Sequence, residues 1–266
     1  MAIDTPARIA VLGAGPVGLE AALYARYLGY DVDLYERGRV AEHLLRWGHV
    51  RLFTPWLQNV SPLAVAALRN QDPSWRPPDG AALLTGRELA ERYLVPLAQS
   101  DLLVDSLRLG AEVLAVGREG QLKGDFVGEP AREEGDFRLL FRDGGGNEST
   151  AAADVVIDAT GTFCQHNWAG ASGIPAPGEL AAGGAIEYGL PDVLGRDRER
   201  YAGKKVLVVG AGYSAATSIV ALAELARQTP GTEVVWITRR GPSAKDRPIT
   251  VIEHDRLAER DRLARA

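Results

Sequence analysis

Twice in 266 residues an apolar run ends in a glycine-rich turn, opens into a helical pattern and continues as a second apolar run. The first instance is IAVLGAGPVGLEAALYARYLGYDVDLYER, Ile9 to Arg37, and the second is KVLVVGAGYSAATSIVALAELARQTPGTEVVWITRR, Lys205 to Arg240. In the first, Arg8–Leu12 and Asp31–Glu36 carry strand-forming residues, and between them Pro16–Leu28 sets Val17, Leu19, Leu23 and Leu28 at helical spacing. A helix joining two strands this closely returns the chain parallel to its starting strand, so each stretch is a βαβ unit. Two such units commit the chain to the α/β class, with two Rossmann-like, three-layer dinucleotide-binding domains.

The glycines have separate tasks. Gly13 permits a tight turn after the strand, Gly15 lets backbone approach a pyrophosphate, and Gly18 lets the helix pack close to the strand. The helix start then offers unpaired N–H groups to phosphates. Glu36 ends the second strand, where a carboxylate accepts from ribose hydroxyls. The second turn keeps Gly210 and Gly212 and has Ala215 in the third place. Aligning the strand ends sets Glu36 against Thr238 and Arg37 against Arg239. A neutral Thr238 followed by Arg239 and Arg240 suits a 2′-phosphate, the NADP pattern, although a solvated basic strand end reads the same way. An acidic first site and a basic second one imply two different dinucleotides.

Composition removes other classes. A hydrophobic content of 46% supports a sizeable core, and a net charge of −5 with interspersed basic residues gives no footprint for nucleic acid. The single cysteine, Cys164, excludes an internal disulfide framework and a CxxC redox pair, and is expected to be a small buried residue. Neither a leader-like N-terminus nor an apolar stretch long enough to span a bilayer is found in the sequence, so the expected compartment is the cytoplasm, with no membrane partner.

Between the two units, Val40 to Pro78 is rich in Trp, Pro and Asn and is expected to be mostly irregular. TGRELAERYLVPLAQSD then resumes helical periodicity. AEVLAVGR, DFRLLFRD and ADVVIDATG read as three strands, with DGGGNESTAA as the second loop: a β-meander followed by a buried strand. Gly170 to Pro191 is the linker candidate, and VIEHDRLAERDRLARA reads as a charged helix.

With these residues in hand, the sequence resembles the two-dinucleotide flavoprotein superfamily, and within it the flavin-containing and Baeyer–Villiger-type monooxygenases more than the disulfide reductases. GAGPVG with Glu36, TGRELAERYLVPLA before AEVLAVG, DVVIDATG, and GIPAPGE followed by GKKVLVVGAGYSA carry the resemblance. It implies that FAD is held by Gly13, Gly15, Pro16, Val17, Gly18, Glu36, Arg37, Val113, Ala159, Thr160 and Gly161. NADPH would be held by Gly210, Gly212, Tyr213, Ser214, Ala215, Thr238, Arg239 and Arg240. The implied domains are 1–172 for FAD, discontinuous and lacking its C-terminal part, and 173–266 for NADPH, incomplete.

The implied activity is that of an FAD- and NADPH-dependent oxidoreductase, in which hydride passes from NADPH to FAD and onward to oxygen or a small-molecule substrate. The alternatives are a reductase that feeds a partner or quinone, and a non-catalytic dinucleotide-binding subunit, either of them a homo-oligomer or completed by another chain. The monooxygenase pattern usually has a His between connector and second turn, but AAGGAIEYGLPDVLG has none. His49, near Trp47 and Trp56, and His166, in TFCQHNW with Phe163 and Trp168, are the remaining catalytic candidates; for each, packing is the competing role. No metal site is expected.

Overall fold

The computed structural model describes residues 7–239 and 248–265. The chain divides into two compact units, one of Met1–Gly48 with Pro55–Thr162 and the other of His49–Thr54 with Phe163–Ala266.

In the first unit, β1 (Arg8–Leu12), α1 (Pro16–Tyr27) and β2 (Asp31–Glu36) form the expected βαβ arrangement. The face that α1 buries is Gly18, Leu19, Ala22, Leu23 and Ala25, whereas Val17 and Leu28 stand 70% and 67% exposed. The apolar stripe is therefore narrower than the leucine and valine spacing suggests, because two alanines and a glycine do the close packing. Complete burial of a leucine contributes about 1.5–3 kcal/mol, and Leu19, Leu23 and Leu34 are all fully buried here.

After β2 the chain forms α2 (Glu42–Arg46), a short 3₁₀ turn (Trp56–Gln58) and α3 (Pro62–Gln71). Ser61 caps α3 by accepting the Ala64 N–H at 3.0 Å, and Pro62 occupies the first helical position, where no N–H is needed. The segment is mostly irregular, as expected, with these short helices set into it. TGRELAERYLVPLAQSD is helical as expected, opening on a Thr85–Glu88 capping box. It runs from α4 (Gly86–Leu89) through a π-helical turn (Ala90–Leu94) into α5 (Val95–Ala98).

β3 (Leu107–Leu109) adds to the parallel sheet, and β4 (Glu112–Arg118), β5 (Phe137–Arg142) and β6 (Glu148–Ala153) form an antiparallel meander. β6 is the second half of the segment expected to be a loop; its register against β5, from Arg142↔Glu148 to Phe137↔Ala153, supplies the pairing that Glu, Ser and Ala do not signal. β7 (Val155–Asp158) then returns beside β1, giving the order β3-β2-β1-β7, all parallel. Val155, Val156 and Ile157 are partly rather than fully buried, and Asp158 is exposed. Arg8 ties β1 to the residues just before β5 and just after β6, with its guanidinium 3.1 Å from Asp154 and 2.5 Å from Asp136.

The second unit contains α6 (Arg198–Tyr201), the parallel pair β8 (Lys205–Val209) and β9 (Glu233–Ile237), the connecting α7 (Tyr213–Gln228) and α8 (Ala258–Arg265). One face of the strand pair packs Val206, Val208 and Val234 against Leu222 and Leu225. The other presents Leu207, Val209, Val235 and Ile237, each at least 41% exposed.

Candidate functional site: two glycine turns

The first turn lies at the carboxyl end of β1, the strand from which the sheet extends both ways, where ligands of open α/β sheets bind. Gly13 has φ +98°, and its N–H donates to Tyr35 O at 2.7 Å. A Cβ there would lie 2.8 Å from Ala159 O, so glycine is required by both conformation and space. At Gly18 a Cβ would stand 1.8 Å from Gly13 O, closing the helix-strand contact to any other residue.

Gly15 differs from both. Its φ of −85° and ψ of −175° are open to any residue, and no protein atom lies within 4 Å of the Cβ it lacks. Nothing in the protein demands a glycine at that place, the start of α1, and helix starts of this kind offer N–H groups to phosphates. The bare Cα leaves room on the ligand side, so the turn fits a dinucleotide pyrophosphate.

Glu36 faces the same turn. Its Oε2 accepts the Ala14 N–H and its Oε1 the Gly38 N–H, both at 2.8 Å, which leaves carboxylate lone pairs for ribose hydroxyls. Arg37 Nη2 lies 3.3 Å from His43 Nε2. Ala111 donates to Glu36 O at 3.0 Å, which brings the start of β4 and Val113, at a bulge in the meander, to this end of the sheet. Ala159 donates to Leu12 O at 2.9 Å, so the Ala159-Thr160-Gly161 turn borders Gly13, and Gly161 has φ +70°. Thr160 donates through N–H and hydroxyl to Asp158, at 3.0 and 2.7 Å, and the hydroxyl bond holds that carboxyl below its usual range. Pro16 and Val17 open α1 and are both exposed.

The second turn repeats the pattern. Gly210 has φ +133° and Gly212 caps α7 with φ −95°, ψ 174° and no atom within 4 Å of a Cβ. Ala215 is accommodated, its Cβ 3.8 Å from where one on Gly210 would stand. Trp236 Nε1 donates to Gly210 O at 2.7 Å, a brace that the glycine pattern does not announce. Tyr213 packs edge-on against Phe53, ring centroids 5.7 Å apart, and donates to Thr250 O at 3.1 Å. Ser214 and Arg239 are exposed and Thr238 half-buried, while Arg240 lies outside the described residues.

The two histidine candidates have separate surroundings. His49 is exposed and, with Phe53, Leu190, Val193, Thr217 and Leu263, lines a cleft of about 490 Å³ in the second unit. His166 stacks on Tyr188 with centroids 3.6 Å apart, and Trp168 meets its edge at 4.5 Å. Its Nε2 is enclosed without a hydrogen-bond partner. Beside it Glu179, buried in the Gly- and Pro-rich linker, accepts from Ala169 N–H (2.9 Å), Ala176 N–H (2.7 Å) and Tyr188 OH (2.8 Å). These bonds, led by the two backbone N–H groups, lower its pKa. Sequence reasoning missed this hub; its only signal is that Glu179 is one of two acids, with Glu187, in a Gly-, Pro- and Ala-rich stretch that has no basic residue.

Trp56 is buried with its ring edge-on to Tyr93, centroids 5.2 Å apart, and Trp47 packs over Gly86, so both tryptophans take the packing role. Cys164 is exposed rather than buried, because it lies in the loop after β7, outside the hydrophobic clusters. Among the described residues no group of His, Cys, Asp and Glu is arranged to hold a metal ion, and no helix is long and apolar enough to cross a membrane.

No family model matches the sequence, and no curated protein matches it. Solved structures do. A bacillithiol disulfide reductase from Bacillus cereus matches over 97% of this chain and 65% of its own, at 15% identity and a TM-score of 0.58. An ornithine hydroxylase from Pseudomonas aeruginosa matches over 90% and 57%, at 17% identity and 0.57. OTEMO in complex with FAD and NADP matches over 88% and 39%, at 18% identity and 0.51. The chain thus shares the α/β fold of these proteins, and it spans less than two thirds of the length of each of them. Disulfide reductase and hydroxylase stand side by side in this comparison, so the fold does not favour the monooxygenase chemistry over the other.

Proposed function

We propose that the first turn binds FAD, that the second binds NADPH, and that the chain is the dinucleotide-binding part of an NADPH-dependent flavin oxidoreductase. The observation that carries this is Gly15, a glycine that neither backbone conformation nor packing requires, set opposite the ribose-facing carboxylate of Glu36. Gly212 repeats it at the second turn. The solved structure holding FAD and NADP together supports the pairing of cofactors.

When bound, a flavin supplies hydride acceptance and onward electron transfer. The chain's own residues bind and orient. Glu36 accepts from the ribose, the start of α1 faces the pyrophosphate, and the Ala159-Thr160-Gly161 turn borders the site where it leaves β7. At the second turn Arg239, with Arg240, meets the 2′-phosphate, and Thr238 avoids the repulsion an acid would create. Residues 1–172 form the flavin domain in this reading and 173–266 the nicotinamide domain, with a small molecule as substrate.

Onward transfer divides into an oxygenase-like branch and a reductase branch that feeds a partner or quinone. The missing fingerprint His favours the reductase, and with one cysteine in these 266 residues no dithiol relay operates within them. The bare face of Leu207, Val209, Val235 and Ile237 favours a further reading, dinucleotide binding without turnover until another chain or copy covers that face.

The test is flavin absorbance of the purified protein, followed by NADPH oxidation with oxygen or with an artificial acceptor. Oxygen uptake that tracks substrate oxygenation selects the first branch, and fast acceptor reduction with only peroxide from oxygen selects the second. Binding of both dinucleotides with no oxidation selects the non-catalytic reading, and failure to bind FAD rejects the proposal.

A further inference from the structure

The Arg37–His43 contact beside Glu36 is used by none of the roles above. α2 is anchored to the glycine turn: Ala41, just before it, holds a left-handed φ of +57° while its N–H donates to Ala14 O at 2.9 Å. Glu36 takes the N–H of the same Ala14. One turn thus carries both Glu36 and the helix that presents His43, and the missing Cβ of Gly38 is 3.5 Å from Glu36 Oε1 and from Glu42 Cγ alike.

The protonation state of His43 follows from its partner. A guanidinium is always charged and only donates, so His43 Nε2, 3.3 Å from Arg37 Nη2, is the acceptor, and the ring is neutral with its proton on Nδ1. Burial, then Arg37 and Arg46, lower the pKa of His43, while Glu36 and Glu42 oppose them. A second proton turns Nε2 into a donor that faces a donor. It also adds a positive charge whose field reaches the Glu36 carboxylate.

We infer that His43 is a positioning residue of the adenosine end of the first site, holding Arg37 through its neutral Nε2, and that its protonation loosens the bound dinucleotide. This rests on the reading of the first turn as the flavin site. By linkage, the bound dinucleotide lowers the pKa of His43 in turn.

The experiment titrates FAD into the full 266-residue chain, followed by flavin fluorescence, from about pH 5 to 8, the range in which a histidine changes charge. Nitrogen-15 NMR of the His43 ring without FAD runs in parallel. For the wild type we expect affinity to fall about five- to tenfold towards the acid end, a coupling of ordinary size. His43→Gln, whose amide oxygen still accepts from Arg37, has a flat profile; His43→Ala is flat and weaker; the NMR shows Nδ1–H. A flat wild-type profile, or a wild-type slope in His43→Gln, overturns the coupling, and a proton on Nε2 overturns the pairing. No FAD binding at the alkaline end by protein with native circular dichroism overturns the flavin-site reading, and this coupling with it. That failure is distinguished by the Nδ1–H signal remaining in place.

Discussion

Glu36 accepts the backbone N–H of Ala14 at 2.8 Å, so the acid that ends β2 is bonded to the turn that ends β1. The carboxylate thereby holds the loop shape, and in the proposed reading it also accepts from the ribose. Replacing Glu36 with Arg is expected to abolish flavin retention, and Glu36→Gln to weaken it about ten- to a hundredfold, the scale of a charge-assisted hydrogen bond of about 1.5–3 kcal/mol. Flavin absorbance of the purified variants checks this; unchanged content in folded protein rejects the assignment of Glu36.

Gly15 and Gly18 separate binding from stability. Gly18→Ala forces a Cβ to 1.8 Å from Gly13 O and should cost about 1–3 kcal/mol or more, as overpacking does. Gly15→Ala meets nothing, so stability should hold or rise by about 0.4–1 kcal/mol, while flavin affinity falls. Urea unfolding and flavin titration on both variants measure the two effects. A Gly15→Ala variant that binds flavin normally removes the main support for the site.

At the second turn, Arg239→Ala should weaken NADPH about ten- to a hundredfold, the scale of a charge-assisted contact of about 1.5–3 kcal/mol, and leave NADH little changed. Isothermal titration with each coenzyme decides it. Equal affinity of the unaltered chain for NADPH and NADH rejects the basic strand end as a phosphate site.

Glu179 sets an acid limit. Its folded pKa lies below that of an unfolded glutamate, about 4.3, so its contribution is complete above that value and is lost as pH falls through the folded one. Glu179→Gln should lower stability at neutral pH, where an amide cannot accept all three bonds as a carboxylate does, and should flatten the acid limb. Denaturant midpoints at several pH values for both proteins test it; parallel curves contradict the role.

The βαβ units were legible because each switches period at a glycine turn, and Gly13, Gly18 and Gly210 then meet the requirements the motif assigns them. β6 was hidden because Glu148–Ala153 has little strand preference of its own and is held by β5. α3 carried readable signals, Ser61 and Pro62, masked by the tryptophans and prolines around them. Glu179 and His43 were out of reach for another reason: their partners converge only on folding. Glu179 bonds residues on both sides of itself along a linker with few regular elements, and His43 owes its place to a strained Ala41.

The brace from Trp236 to Gly210 also has an optical consequence. Indole emission responds to the polarity and hydrogen bonding around its nitrogen, and that nitrogen donates at 2.7 Å to the carbonyl that opens the second glycine turn. Of the five tryptophans, three, Trp47, Trp56 and Trp75, belong to the first unit, and Trp168 sits in the Glu179 hub. A chain with those four replaced by phenylalanine would leave a single chromophore wired to the turn, and its emission would follow dinucleotide occupancy without any added label.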